Sequence, residues 1–247
     1  MLTVKNLKKR FGPLQAVKGV SFTVNKGEVL GFLGPNGAGK TTTMRMITGF
    51  LAPSDGTAEI CGCDIRLDPV GAKRSIGYLP ENAPSYHTMT VTDFLDFAAR
   101  IRGYAGAERR DRIERAIVQA QLEGVRHQTI ETLSKGYRQR TCFAQAILHD
   151  PPVLIMDEPT DGLDPNQKHV VREMIRAMSA EKAIIVSTHI LEEVDAVCTR
   201  AVIIARGELV ANGTPAELKA RDPSGRLDEV FRKLTLTEEE ISRHVRA

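Results

Sequence analysis

The sequence Gly34-Pro-Asn-Gly-Ala-Gly-Lys-Thr-Thr42 directly follows the apolar run 29–33 and indicates the class of the whole domain. It has the phosphate-loop pattern, in which Gly is followed by four residues, then Gly-Lys, then Ser or Thr. Because Gly34, Gly37 and Gly39 lack a Cβ, we expect the backbone to take positive φ and to turn its N–H groups toward an anion. A strand, this loop and a helix in succession therefore predict a site for the phosphates of a nucleotide.

The chemistry of phosphate binding assigns a role to each polar residue of the loop. Lys40 would reach the β and γ phosphates, and the Thr41 hydroxyl would ligate a magnesium ion that bridges them. Thr42 would offer its hydroxyl or its amide to the α phosphate. The alternative is a glycine-rich turn without a ligand. The remaining contacts would come from the loop itself, that is, from Gly34, Pro35, Asn36, Gly37, Ala38 and Gly39.

The length of 247 residues allows a single large α/β domain or a domain with a helical subdomain, and 42% hydrophobic with 26% charged residues indicates a soluble, globular chain. No apolar run has the length that a bilayer span needs, and residues 1–10 have no signal-peptide core behind their lysines. The net charge of +3 is spread along the chain and gives no footprint for direct binding to nucleic acid. We therefore expect a cytoplasmic protein that contacts a membrane only through a partner chain.

Four cysteines are present, two of them in the sequence Cys61-Gly-Cys63. This pair could be half of a metal site, but no second Cys/His pair at ligand spacing accompanies it. We expect reduced, structural thiols.

The apolar runs predict an α/β core with two additions. Short alternating runs within residues 2–33 predict a small antiparallel sheet that leads into the phosphate-loop strand. Helical spacing replaces strands from 83 to 132, so we predict a helical subdomain, about 83–150, inserted into the core. The first inserted helix would pack through Val91, Phe94, Leu95, Ala98 and Ile101. Further strands are expected at 57–60, 76–79, 153–156 and 183–186, with a closing hairpin at 201–211.

Three aromatic side chains have two possible interpretations each. Phe11, in the loop between the first two strands, could stack on an adenine ring or simply pack. Tyr86 and Phe97 could form an anchor surface for a partner protein or pack locally within the helical subdomain.

Two carboxylates, Asp157 and Glu158, follow the apolar strand 153–156 directly. Buried carboxylates need a cation or hydrogen-bonding partners, and a magnesium-nucleotide supplies that cation. Because side chains alternate along a strand, Asp157 would hold the metal while Glu158 would deprotonate the attacking water. The alternative is a capping carboxylate pair. His189 ends a neighbouring strand within reach of the γ phosphate, although a structural or solvated histidine remains the other interpretation.

A second helix begins in the stretch 133–140, which reads Leu-Ser-Lys-Gly-Tyr-Arg-Gln-Arg. Ser134 and Gly136 at its start make it a second candidate phosphate site. Serine also caps helices that bind nothing, so an ordinary cap is the alternative.

Together these stretches resemble the nucleotide-binding subunit of the ABC transporter family from about residue 2 to 220. The phosphate loop 34–42, the signature 133–140, Asp157-Glu158, the Asp164 loop and His189 occur in the family's order. The resemblance implies an α/β P-loop NTPase core, mainly a parallel sheet with helices, plus an N-terminal antiparallel β-subdomain and the helical insertion. It implies an ABC ATPase domain at 1–220 and leaves 221–247 as a charged helical tail, which we expect to be solvated or to contact a partner.

The resemblance also implies an assembly. Two copies, or this chain and a homologous ATPase subunit, would face head to tail, with each ATP and its Mg²⁺ between the phosphate loop of one and Ser134-Gly136 of the other. The Asp164 loop would belong to the same site. A separate transmembrane permease would be driven by the hydrolysis of ATP, which implies a peripheral position on the inner face of the cell membrane.

Two departures from the family pattern stand out. The signature, usually Leu-Ser-Gly-Gly-Gln, here reads Leu-Ser-Lys-Gly-Tyr. Glu81 stands where the family usually carries a glutamine that touches the metal and senses the membrane subunit, and its carboxylate can still ligate magnesium. The spellings around Glu81 and the signature are similar to subunits of bacterial exporters for gliding, drug or polysaccharide export and copper-enzyme maturation.

Two other hypotheses compete with transport. A soluble ABC-type ATPase could act on nucleic acid or the ribosome, but such relatives usually carry long coiled coils, zinc-binding cysteines or two fused nucleotide domains, which this sequence lacks. An ATP-binding regulator without turnover is the third, because of the altered Glu81 position and signature.

Overall fold

Two β-sheets of different character form the framework of the protein. The computed structural model describes residues 1–82 and 84–236. The strands are β1 (Leu2–Phe11), β2 (Leu14–Val24), β3 (Val29–Leu33), β4 (Asp55–Ile60), β5 (Cys63–Asp64), β6 (Ile76–Leu79), β7 (Val153–Asp157), β8 (Ala183–Thr188), β9 (Arg200–Ala205) and β10 (Glu208–Gly213). The helices are α1 (Lys40–Ile47), α2 (Pro69–Arg74), α3 (Val91–Ile101), α4 (Gly106–Gln119), α5 (Lys135–Ile147), α6 (Pro165–Ser179), α7 (Leu191–Val197), α8 (Pro215–Lys219) and α9 (Leu227–Thr235).

The N-terminal sheet is antiparallel, in the order β2-β1-β4-β5. In β1, Leu2 and Val4 are buried and Lys5 is exposed, and a register shift between Val4 and Leu7 returns Leu7 to the buried face. This is the small antiparallel sheet that the sequence predicts.

The larger sheet has the order β10-β9-β3-β8-β7-β6 and is parallel except for β10. Every residue of β3, β7 and β8 is buried, as expected for strands covered on both faces. Leu33 pairs with Thr188, and Asp157 pairs with Ser187. The chain segments that follow these strands therefore leave the sheet at one edge, where ligands of parallel sheets bind.

The helical insertion lies between β6 and β7 and contains α3, α4 and α5. The Thr90 hydroxyl caps α3 by accepting the Asp93 N–H. Val91, Phe94 and Leu95 are buried as predicted. Ile101 is not: it is 69% exposed, because α3 ends there and its side chain lies at the edge of an open groove.

The C-terminal segment packs onto the domain over the part that the structure describes. Leu227 and Val230 of α9 are buried, and Leu227 belongs to the main hydrophobic core. Arg206, in the turn between β9 and β10, donates a hydrogen bond to the Thr235 carbonyl, and Lys233 pairs with Asp222. The tail, which the sequence predicts to be solvated or to contact a partner, is therefore packed against its own domain as far as 236. The rest of the predicted 221–247 helical tail, 237–247, lies outside the described residues.

The cysteines are free thiols, as expected. Burial raises the pKa of the Cys142 and Cys198 thiols to about 12, so both stay protonated and unreactive at neutral pH. Within residues 1–82 and 84–236, no group of three or more His, Cys, Asp or Glu side chains is arranged to hold a metal ion.

Candidate nucleotide-binding site

The phosphate loop has the predicted left-handed glycines at two of three positions. Gly37 has φ of +79° and Gly39 has φ of +108°. Gly34 does not have positive φ, so that expectation is wrong for this residue. A side chain would not fit at this position, because a Cβ there would lie 2.5 Å from the Ile204 carbonyl oxygen on β9. Close contact with the neighbouring strand thus fixes where the loop starts.

Helix α1 begins at Lys40 with Gly39 as its N-cap. Glycine has no side chain to accept the amides of the first turn, and no such cap is present. Those N–H groups and the positive end of the helix dipole therefore face the loop concavity, the arrangement that favours a bound phosphate.

A cavity of about 470 Å³ opens above the loop. It brings together the predicted residues Pro35, Asn36, Gly37, Gly39, Lys40, Thr41, Thr42, Glu81, Glu158 and His189. Ala16 and Asp161 also line it, and sequence reasoning assigned them no role. For Asp161 a signal existed, since it lies in the loop directly after the Asp157-Glu158 pair, whereas Ala16 reaches the cavity from β2 through the tertiary fold alone.

Three charged or titratable groups meet at the floor of this cavity. The Lys40 ammonium lies 3.2 Å from one carboxylate oxygen of Glu158, and Nδ1 of His189 lies 2.9 Å from the other. Lys40 also donates to the Gly34 carbonyl at 2.7 Å. Lys40 and Glu158 are only 6% and 7% exposed, so their charges are held close together with little screening by water.

The side chains of Asp157 and Glu158 point to different surroundings, as predicted. Glu158 has left-handed backbone geometry, with φ of +51°, and its carboxylate faces the cavity. Asp157 is fully buried, and its Oδ1 accepts a hydrogen bond from the Ser187 hydroxyl. Its Oδ2 has no hydrogen-bond partner among the described residues. A buried carboxylate oxygen without a donor is costly, and a nearby cation would relieve that cost.

Seven predicted site residues do not line the cavity. The Ser134 hydroxyl caps α5 by accepting the Tyr137 N–H, and Gly136 lies in the same first turn. The Asp164 carboxylate caps α6 by accepting the Asn166 and Gln167 N–H groups. Phe11 is 47% exposed. The other three, Gly34, Ala38 and Asp157, are buried and do not line it.

A separate groove of about 740 Å³ runs between the core and the helical insertion. Tyr86 lies edge-on to Phe97 at 5.2 Å and tilted against Phe94 at 6.3 Å, so the aromatic residues pack locally and also line the groove. Lys73, Arg74 and Arg102 contribute positive charge, and no acidic side chain is among its described lining residues. The groove therefore combines an aromatic surface with a cationic rim.

None of the described helices combines the length and the apolar character that crossing a membrane requires.

Comparison with known proteins places this geometry in a family. A family model described as ABC transporter matches residues 17–161. An uncharacterized ABC transporter ATP-binding protein, YxlF of Bacillus subtilis, is 40% identical over 89% of this chain and 72% of its own length. Nod factor export ATP-binding protein I of Ralstonia nicotianae is 37% identical over 94% of this chain and 72% of its own.

Solved structures of ABC ATP-binding proteins are also similar to this chain. An ATP-binding subunit of an ABC transporter superposes with a TM-score of 0.84 at 32% identity, covering 95% of this chain and 99% of that one. A dimeric ATP-binding cassette in a post-hydrolysis state, bound to ADP and Pi, superposes with a TM-score of 0.77 at 26% identity, covering 87% and 98%. The chain thus belongs to the ABC transporter family, as an ATP-binding subunit that hydrolyses ATP.

Proposed function

We propose that this chain binds Mg-ATP between its own phosphate loop and Ser134-Gly136 of a second, head-to-tail subunit, and that hydrolysis drives a separate transmembrane permease. The observation that carries the proposal is the division of the predicted residues. The hydrolytic groups share one cavity, whereas Ser134 and Gly136 start a helix outside it. One chain then holds two half-sites and needs a partner to complete either. The dimeric relative with ADP and Pi supports this assembly.

The hydroxyl and carboxylate oxygens present at the site are the kind of ligand that magnesium prefers. Thr41 lines the cavity, and Asp157, directly before Glu158, has a buried carboxylate oxygen without a hydrogen-bond partner in the described part of the chain. These residues would hold the ion with the nucleotide's phosphates, and Glu81, also on the cavity wall, would add a carboxylate. The bound ion would neutralise charge on the phosphate oxygens.

In the reaction we assign Glu158 as general base. Its carboxylate would take a proton from the attacking water as the new bond to the γ phosphorus forms and the bond to the leaving oxygen breaks. The Lys40 ammonium, which pairs with the Glu158 carboxylate, would contact the β and γ phosphates instead once nucleotide is bound. His189, held by Glu158 through Nδ1, would present its other ring nitrogen to the γ phosphate.

Complementation of two inactive variants tests the shared site. Lys40→Met disables the phosphate loop of a chain, and Ser134→Ala disables its contribution to the other site. In a mixed dimer of these variants, one site has an intact loop and an intact signature, so we expect ATPase activity well above the sum of the separate proteins. The matched control mixes Lys40→Met with Glu158→Gln. Both lesions then lie in the same half-site, every mixed site is defective, and activity should stay absent.

Failure of the first mixture to recover activity, with both variants folded and exchanging subunits, would overturn the shared site. Full-rate hydrolysis by a strictly monomeric wild-type chain would overturn it as well.

The groove lined by Tyr86 and Phe97 is our proposed docking surface for the permease. Its aromatic floor and cationic rim, which includes Lys73 and Arg102, favour an apolar helix that carries acidic side chains. Docking there would give the protein a peripheral position at the inner face of the cell membrane. The names of several relatives, including the Nod factor export protein, favour export as the direction of transport.

Capture of the co-expressed permease tests the docking surface. We expect Tyr86→Ala and Phe97→Ala to weaken capture while ATP binding stays unchanged. Val118→Ala, which truncates an exposed apolar side chain on α4 away from the groove, is the control. Equal capture by all three variants would remove the groove from the proposal.

A further inference from the structure

Gly136 makes an unusually close contact with α6. A Cβ on Gly136 would lie 2.5 Å from Oε1, 2.8 Å from Cδ and 2.9 Å from Cγ of Gln167. Gly136 is not in the left-handed region, so its backbone conformation does not require glycine. The absent Cβ instead leaves a notch that the Gln167 side chain fills.

Gln167 is held in this notch by fit rather than by polar pairing. Its Oε1 is buried and has no hydrogen-bond partner in the described part of the chain. Its backbone N–H donates to the Asp164 carboxylate at 3.0 Å, in the first turn of α6. One residue therefore joins the start of α5 to the loop that follows Glu158.

Two further contacts run parallel to this one. The Lys135 ammonium lies against Gly162, closer than a Cβ at that position would allow. The Gln139 amide donates to the Pro159 carbonyl at 3.3 Å. The first two turns of α5 thus rest on the segment 159–167 at successive points.

We propose that Gln167 is a positioning residue that couples the signature helix of a chain to the Glu158 loop of the same chain. This inference rests on the proposed two-subunit site. Binding of the partner's nucleotide at Ser134-Gly136 moves or restrains α5, and the seated Gln167 side chain transmits that restraint to the segment after Glu158. Each nucleotide then influences the hydrolytic half of the other site, which makes the two sites cooperative.

Four variants test the notch: Gly136→Ala, Gln167→Ala, the double variant, and Gln167→Met, which keeps length but removes the buried unpaired oxygen. Gln119→Ala, an exposed glutamine on α4, is the matched control. The measurements are kcat, KM and the Hill coefficient for ATP hydrolysis, and the affinity of the single chain for a non-hydrolysable ATP analogue. Thermal unfolding verifies that each variant is folded.

We expect Gln167→Ala to lower kcat by about fivefold or more and to move the Hill coefficient toward 1, while single-chain affinity stays unchanged. Gly136→Ala should do the same, since its Cβ expels Gln167. The double variant should be no worse than Gln167→Ala, because the new methyl group enters vacated space. Gln167→Met and Gln119→Ala should keep the wild-type Hill coefficient.

Losses that multiply in the double variant would mean that Gly136 acts through the phosphate and not through Gln167, which overturns the proposal. So would a wild-type Hill coefficient in Gln167→Ala, or equal loss in Gln167→Met. Failure of the two-subunit site itself looks different: the Hill coefficient would then be 1 in every protein, including the wild type.

Discussion

The phosphate-loop half-site and the signature half-site differ in how their polar groups are satisfied. In the first, Lys40, Glu158 and His189 converge on one another in a cavity, and an Asp157 oxygen is left without a donor in the described structure. In the second, the Ser134 hydroxyl is already engaged in capping its own helix. The first group of residues is thus arranged for chemistry within one chain, whereas Ser134 makes only a helix cap in its own chain and, under the function we propose, would bind nucleotide only against another subunit.

Glu158→Gln should have the strongest effect on the phosphate-loop half-site. We expect hydrolysis to fall by about 10²–10⁴-fold, because the amide cannot accept the proton from water. ATP binding should persist, and a stable ATP-bound dimer should accumulate. Steady-state phosphate release and light scattering measure the two effects.

Glu192→Gln is the control, since Glu192 is an exposed carboxylate on α7 outside the cavity. Undiminished turnover by Glu158→Gln would show that another group activates the water.

The affinity of a single chain for ATP should fall in Lys40→Met but not in Ser134→Ala. Loss of a charged hydrogen bond costs about 1.5–3 kcal/mol, which corresponds to about 10–100-fold weaker ATP binding by the single chain. Ser134→Ala should leave that single-chain affinity unchanged, because Ser134 lies outside the cavity. Calorimetric titration of monomeric protein with an ATP analogue measures both. Equal weakening in the two variants would contradict the division.

The far end of the signature helix offers a purely structural contrast. Burial, with the nearby charges of Arg102, Lys182 and Arg112, lowers the pKa of His149 to about 4, while its Nε2 contacts the Ile76 carbonyl oxygen at 2.9 Å. The unfolded chain binds a proton near pH 6.5 and the folded chain does not until about pH 4, so stability falls as pH drops through this window.

With allowance for partial exposure, the His149 contribution is about 2 kcal/mol. His149→Gln should flatten the pH dependence of the free energy of unfolding between pH 6.5 and 4, measured by urea denaturation. His127→Gln, at an exposed position, should leave the slope as it is. An unchanged slope in His149→Gln would remove this histidine as the cause.

The smallest expected effect is on stability at the start of α5. Its cap bond, from the Tyr137 N–H to the Ser134 hydroxyl, is long at 3.4 Å. Ser134→Ala should therefore lower the free energy of unfolding by only about 0.5 kcal/mol, while abolishing ATPase activity in the dimer. A much larger destabilisation would make the signature serine chiefly structural.

Sequence patterns predict the features that are encoded in consecutive residues. They do not predict contacts between segments that are distant in the chain and close only in the folded protein. The phosphate loop, the strand ending in Asp157 and the cap at Ser134 are each written in consecutive residues. The reason for Gly34, by contrast, is a carbonyl on β9, about 170 residues away. The notch at Gly136 has the same origin, because its partner Gln167 lies on another helix.

Solvent exposure was equally hard to predict at element ends. Helical spacing placed Ile101 on the packed face, but the periodicity of a helix does not reveal where its neighbours stop. Ser187, which donates to Asp157, was visible only as a strand-end residue until the parallel pairing of β7 and β8 set it beside the carboxylate.

The left-handed backbone at Glu158 has a consequence for engineering. A side chain at φ of +51° carries a conformational penalty of about 1 kcal/mol that glycine would not. Selection for heat resistance alone would therefore favour glycine at this position and yield a sturdier but inert protein. Screens that select this chain for stability should also select for ATP turnover, because glycine at position 158 would favour the fold but remove the carboxylate that hydrolysis needs.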